Sequence, residues 1–209
     1  TAVSKNIKNV VICSSTSSTN PNPSVSIKNE NHWSDEKFQC DSKKYTSAAK
    51  TVMEKKAINF AKENDLKLSI IMPTGLYGPV IFPSHLKGNP HVWLRRLIDG
   101  EHGRHQKIPN DSTSLIHLYD LAKMFYEVYE QKDKAGRFFG VYDSWHWEDI
   151  YKEIRKNLPD MMMPESYEGE KVEATKFDFT RRDSLGIKFR DIPTCISETI
   201  DWLKIQNKI

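Results

Sequence analysis

Two short apolar runs with a long amphipathic segment between them constrain this chain more than any other feature. Residues 9–14 read NVVICS and residues 67–73 read KLSIIMP. Neither alternates, which is the pattern of strands covered on both faces. Between them, residues 43–64 carry Ala49, Val52, Met53, Ala57, Phe60 and Ala61 at helical steps, with lysine and glutamate elsewhere. That spacing predicts a helix from about Thr46 onward with one apolar face. A strand, a crossover helix and a second strand form a parallel, right-handed unit. Ser14–Ser15 and the segment from Pro73 to Tyr77 are then expected at the carboxyl ends of neighbouring strands, the edge where open α/β sheets bind ligands.

The remaining segments extend this plan. Six hydroxyl residues, Ser14 to Thr19, follow the first strand and read as a polar loop capping it. Residues 20–44 are rich in Pro, Asn, Ser and Asp, and predict a long surface loop carrying Trp33. Gly75, Gly78 and Pro79 enforce turns after the second strand. A helix over 91–98, a strand over 114–118, a helix over 120–131 and a strand over 136–142 come next. Asp143 or Ser144 is expected to cap a helix over 147–158, the Met161–Met163 run reads as adaptable packing, and Leu185-Gly186 as a turn. A last helix carries Ile196, Ile200 and Leu203 on one face.

At 209 residues the chain is long enough for a substantial core, and 38% hydrophobic residues suit a globular protein with a wet surface. The net charge of +3 is spread among Lys/Glu pairs rather than blocked, so nothing argues for nucleic acid. No apolar stretch reaches the length of a membrane span and no signal peptide is visible, so a cytoplasmic setting is expected. Cys13, Cys40 and Cys195 form no CxxC pair and suit a reducing compartment. His102 and His105 lack a carboxylate or cysteine partner at ligand spacing, so no metal site is expected.

In this order, VVICSSTSS (10–18), HWSD (32–35), SAAKTVMEKKAINFAKE (47–63), IIMPTGLYGP (70–79), LIHLYDLAKMF (115–125), GRFFGVY (136–142), LGIKF (185–189) and ETIDWL (198–203) resemble the extended short-chain dehydrogenase/reductase superfamily. They look most like its dihydroflavonol reductase and cinnamoyl-CoA reductase branch. The resemblance implies an α/β fold, a Rossmann-like parallel sheet with a smaller C-terminal α+β substrate region. Residues 1–80 and 114–131 would belong to the NAD(P)-binding part, and 81–113 and 132–209 to the substrate-binding part.

It further implies an NAD(P)-dependent oxidoreductase that reduces an aldehyde or ketone carbonyl of a small molecule, with NADP or NAD as cofactor. Nucleotide-sugar epimerase or dehydratase chemistry uses the same residues and stands as the alternative, as does a non-catalytic binding module. Ser15 matches the serine that steadies the carbonyl, with Ser14 and Thr16 as fallbacks. Tyr45 would exchange the proton, and Lys50 would lower the tyrosine pKa and hold the nicotinamide ribose. A phenol with a pKa of about 10 needs such a cation to work near neutral pH. Ser14, Lys50, Pro73, Thr74 and Leu76 are the implied cofactor contacts. Gly78-Pro79 matches the turn into the substrate region, and His117 and Asp120 a strand–helix junction supporting the site. Trp93, Trp145 and Trp147 are expected either as aromatic substrate contacts or as core.

Two departures from the family pattern stand out. The family spacing is Y-x-x-x-K, whereas five positions separate Tyr45 from Lys50, and Thr46 holds the fourth. A helical separation of four leaves side chains about 40° apart and one of five about 140°. Tyr45 fits the role if it precedes the first regular turn, or if a π-type bulge absorbs one residue. The glycine-rich phosphate loop is also absent from this sequence, and the first residue is Thr1. The chain therefore reads as the C-terminal part of a longer or split reductase. Its partner alternatives are a homodimer or an N-terminal companion segment, and on its own it is expected to be poorly soluble and to bind cofactor weakly.

Overall fold

The computed structural model describes residues 1–82, 90–131 and 133–206. In chain order the elements are β1 (Asn9–Cys13), β2 (Ile27–Lys28), α1 (Glu36–Asp41), α2 (Tyr45–Glu63), β3 (Lys67–Pro73), β4 (Gly75–Tyr77) and α3 (His91–Ile98). They continue with β5 (Ser112–His117), α4 (Leu118–Glu130), β6 (Gly136–Gly140), β7 (Asp143–His146), α5 (Trp147–Asn157), β8 (Lys176–Phe177), α6 (Thr180–Asp183) and α7 (Ile192–Gln206). These residues divide into two compact units. The first comprises Thr1–Thr74, Leu121–Val141 and Lys176–Lys188, and the second Gly75–Asp120, Tyr142–Thr175 and Phe189–Ile209.

The first unit is built on a parallel sheet in the order β1-β3-β6. Asn9 to Cys13 lie opposite Lys67 to Ile71, and Ser69 to Pro73 opposite Gly136 to Gly140. Ser14 N–H donates to the Ile71 carbonyl at 2.8 Å, so the pairing runs one residue past β1. Ile70, Met72, Phe139 and Val141 form the buried centre, with Ile12, Ile58, Leu68, Phe177 and Phe179 packed on it. Gly140 is required by a close approach: a Cβ there would stand 3.0 Å from the backbone of Pro73. A small parallel pair, β2 with β8, completes the unit.

In the second unit β5 pairs in parallel with β4 and antiparallel with β7. Its core gathers Trp93, Leu94 and Leu97 of α3, Ile150, Tyr151 and Ile154 of α5, and Ile192, Cys195, Ile196, Ile200 and Leu203 of α7. Gly78 is held by Thr199, whose Oγ1 accepts from Gly78 N at 2.6 Å. Its φ of +112° suits glycine, and a Cβ would run into the His117 ring.

Several expectations need correction. Residues 20–44 are not one open loop: Asp35 caps α1 by accepting from Phe38 N at 3.0 Å, and β2 pairs with β8. The helix α2 buries the predicted apolar face only in part: Ala61 is buried and Val52, Met53 and Ala57 are half-buried. Ala49 and Phe60 are exposed, while Ala48, Thr51, Glu54 and Ala61 are buried. Part of the surface it meets is polar, so Thr51 and Glu54 turn inward toward Gln39, Ser14 and Arg137, while Ile58 packs on the apolar centre of the sheet. Residues 143–146 form β7 rather than a cap, and the His146 ring accepts from Glu148 N at the start of α5. Residues 75–77, expected as part of a turn, form β4. Trp93 and Trp147 are buried in the core of the second unit, with Trp145 packed on its edge. Of the expected substrate wall, residues 83–89 lie outside the described residues.

Candidate active site

In the first unit, the carboxyl end of β1 faces consecutive turns of α2. Lys50 is half-buried, and its ammonium donates to the Cys13 carbonyl at 3.2 Å. That bond leaves two of its three N–H donors for other acceptors. The next residue, Ser14, is buried, and its hydroxyl donates to Glu54. Ser15 is half-buried and extended, with φ −160° and ψ 149°, and its Oγ accepts from Ser17 N at 3.2 Å. Ser15 thereby caps a short 3₁₀ turn, Thr16–Thr19, closed by Thr19 Oγ1 donating to the Thr16 carbonyl at 2.7 Å. The hydroxyl segment is thus structured as well as polar. Burial raises the Cys13 thiol, and nearby Lys50 partly offsets this.

The other expected residues fall as follows. Tyr45 is the first residue of α2 and is 64% exposed. The helix is a regular α-helix from Tyr45 through Lys50, so neither a preceding irregular turn nor a π-type bulge absorbs the extra position. The two side chains therefore leave the helix about 140° apart. Thr46, at the family spacing, is also exposed. Lys50 is thus joined to the end of β1, two residues before Ser15, while Tyr45 stands in solvent. Pro73 is buried at the end of β3 and Thr74 half-buried after it. Leu76 is half-buried in β4 of the second unit.

Sequence reasoning missed the most buried ion pair among the described residues. Glu54 is wholly buried on α2, and its second oxygen accepts from Arg137 Nε at 2.8 Å. Arg137 Nη1 donates to the carbonyls of Glu30 (2.6 Å) and His32 (2.8 Å), and Nη2 to Ser18 Oγ (3.0 Å) and the Ser18 carbonyl (3.4 Å). All five guanidinium donors are thus used, and its face covers the Trp33 ring at 3.8 Å. Burial lowers the Arg137 pKa, with Glu54 opposing. A charged residue inside the GRFFG strand was the available signal, because a buried arginine requires a buried partner. An open cleft of about 560 Å³ in this unit is lined by Glu30, Trp33, Lys62, Leu68 and Arg181 among others, and by none of Ser14, Ser15, Tyr45 or Lys50.

In the second unit His117 closes the β5–α4 junction. Its Nδ1 accepts from Tyr119 N at 3.1 Å, which leaves the proton on Nε2, 3.1 Å from Glu198. Burial lowers its pKa, and Arg190 adds to this. Asp120 accepts from Arg190 N at 2.7 Å and Arg190 Nη1 at 2.5 Å. His105 Nδ1 lies 3.0 Å from the Tyr151 hydroxyl and its ring 4.5 Å from Trp147. Burial takes His105 down to about 4 and Tyr151 up to about 12. Among the described residues no cluster of His, Cys, Asp and Glu could hold a metal, and no helix is long and apolar enough to cross a membrane.

A parallel sheet whose strand end carries a serine and is gripped by a lysine of the crossover helix defines this unit as an open α/β fold. Residues 1–141 match the NAD dependent epimerase/dehydratase family, and the chain belongs to that family. It is 26% identical over 204 residues to cinnamoyl-CoA reductase 2 of Medicago truncatula, covering 95% of this chain and 59% of that protein. To dihydroflavonol 4-reductase of Callistephus chinensis it is 28% identical over 214 residues, covering 97% and 57%. The chain spans about three fifths of the length of the curated relatives it matches.

Among solved structures, yeast methylglyoxal/isovaleraldehyde reductase Gre2 complexed with NADPH superposes with a TM-score of 0.78 at 21% identity, covering 100% of this chain and 68% of that one. Vestitone reductase from alfalfa (Medicago sativa L.) gives 0.77 at 16%, covering 97% and 66%. The fold is the Rossmann-like α/β fold of the short-chain reductases and epimerases, as expected.

The residues present fit one end of a nicotinamide cofactor. Lys50 holds spare donors beside Ser15, whereas the Ser14 hydroxyl is taken by Glu54. No glycine precedes Gly75, so nothing after β1 offers the glycine turn that cradles a pyrophosphate.

Proposed function

We propose that the natural protein containing this chain is an NAD(P)-dependent reductase acting on the carbonyl of a small organic molecule. The observation that carries this reading is the Lys50 ammonium anchored to the Cys13 carbonyl, with Ser15 two residues on. In this reading Lys50 holds the nicotinamide ribose and supplies positive charge, and the Ser15 hydroxyl steadies the substrate carbonyl oxygen. Bound cofactor supplies the hydride; the protein supplies orientation and one proton. Tyr45 is assigned the proton, which requires the first turn of α2 to reorient when ligand binds. The relatives named reductases support the substrate class, a carbonyl compound, without selecting one.

A second reading, a binding module without reductase activity, draws on the 64% exposure of Tyr45 and its five-residue offset from Lys50. The test is NADPH consumption by the full natural protein with a panel of aldehydes and ketones, repeated for Tyr45→Phe and Thr46→Ala. The reductase reading expects turnover that falls about 10²-fold or more in Tyr45→Phe and persists in Thr46→Ala. Absence of turnover together with retained NADPH binding would favour the binding module.

A further inference from the structure

The first unit holds a buried ionic network that the proposed chemistry does not use. Lys50 and Glu54 sit one turn apart on α2, about 40° apart around the axis, and so project from one helix face. They grip adjacent residues of one strand end. Lys50 takes the Cys13 carbonyl at 3.2 Å, and Glu54 takes the Ser14 hydroxyl. The far oxygen of Glu54 is fixed by Arg137 Nε at 2.8 Å, and Arg137 in turn ties down Ser18 and the main chain at Glu30 and His32. One carboxylate therefore connects α2, the end of β1, β6 and the segment before α1.

A buried ion pair is a poor source of stability, because desolvation offsets most of its attraction. Its geometry is nonetheless demanding, since each partner must be met in full. A glutamate whose two oxygens answer two different elements defines where those elements sit relative to each other.

We propose that Glu54 is a positioning residue that sets the register of α2 against the end of β1, and so places the Lys50 ammonium beside Ser15. It does this by holding Ser14 and Arg137 at once, and it takes no part in proton transfer. The inference rests on the reductase reading for its purpose but not for its test. Glu54→Gln keeps the shape and removes the charge: its single amide oxygen accepts from Arg137 Nε, its amide N–H can only donate to Ser14 Oγ in the reverse sense, and both links become weaker, uncharged ones. Ser14→Ala removes the hydroxyl link alone, and it decides the matter if Glu54→Gln fails to fold.

The readout is competitive acetylation of lysines by trace acetic anhydride, quantified peptide by peptide as the Lys50/Lys56 ratio. Lys56 is exposed on the same helix and serves as the internal reference. The expected result is a rise of about fivefold in Glu54→Gln and about twofold in Ser14→Ala, as the Lys50–Cys13 hydrogen bond loosens. In the full natural protein Glu54→Gln should also lower kcat for NADPH oxidation and raise the KM for NADPH, because the displaced Lys50 is the residue assigned to the nicotinamide ribose. An unchanged labelling ratio in a folded variant, with only the melting temperature lowered, would overturn the proposal. If the wild-type protein turns over no carbonyl, the reductase reading fails while the ratio still decides the positioning role.

Discussion

The two units bury polarity in opposite ways. The first encloses full charges, Glu54 and Arg137, and answers every donor of the guanidinium with an acceptor from one of three segments, at Glu54, at Glu30 and His32, and at Ser18. The second encloses mostly rings, together with the buried carboxylate of Asp120, paired to the half-buried Arg190. Trp93, Trp147 and Tyr151 pack at centroid distances of 6.1–6.3 Å, and the imidazoles beside and beyond them are kept neutral by burial. Charges held this way fix the position of each element they touch, because a shift leaves one of them unpaired. Aromatic packing fills volume and tolerates small shifts. The grip of Lys50 and Glu54 on the end of β1 belongs with the first design.

The largest expected effect follows from breaking the charge pair on one side. Arg137→Met should cost the first unit about 3–5 kcal/mol by stranding Glu54 without its cation, whereas Glu54→Leu combined with Arg137→Met should cost much less. Urea denaturation of both variants, followed by hydrogen exchange of the β1, β3 and β6 amides, checks this. Equal losses would mean that the carboxylate is solvated in the single variant.

Ile150→Ala, in the ring-packed core, should cost about 2–4 kcal/mol, with loss of exchange protection confined to the second unit. Protection lost equally in β3 would erase the contrast between the units.

Acid should separate them as well. His105 titrates near 4 when folded and near 6.5 as its ordinary value, so between those pH values the unfolded chain binds more protons. Its contribution is full above about 6.5 and is lost as pH falls toward 4. His117 and His146, also lowered by burial, act in the same direction. Glu30 in the first unit is raised by burial, so its contribution is present at low pH and lost as pH rises through its folded pKa. Unit-resolved hydrogen exchange across this range should show the second unit loosening first, and His105→Gln should flatten its acid slope.

The smallest effect expected is local: Asp35→Ala should cost about 1 kcal/mol through the lost α1 cap, read as a small drop in melting temperature.

Much of this architecture was written in hydrophobic spacing. Residues 9–13 and 67–73 were legible as parallel strands, although only the second is buried and β1 is half-buried at most; helices over 91–98 and 147–158 were legible as elements, and α7 showed its packed face in Ile196, Ile200 and Leu203. The buried face of α2 was not legible, because Thr51 and Glu54 lie among lysines and glutamates that look like a solvated surface. What turns Glu54 inward is Arg137, 83 residues further along, and what turns Thr51 inward is Gln39 of α1; no local pattern links residues so far apart. Likewise α1 spans only six residues, too short for a periodic signal, although Asp35 before it was a usable cap signal. Lys50 was found through the family pattern; its hold on the Cys13 carbonyl required coordinates.

The most direct test of the account is NADPH oxidation by the full natural protein against an aldehyde and ketone panel, comparing wild type with Lys50→Met. Turnover by the wild type, reduced about 10²-fold or more in a Lys50→Met variant that melts normally, is the predicted result. Turnover that is indifferent to Lys50, or no turnover by the wild type with any carbonyl offered, would contradict it.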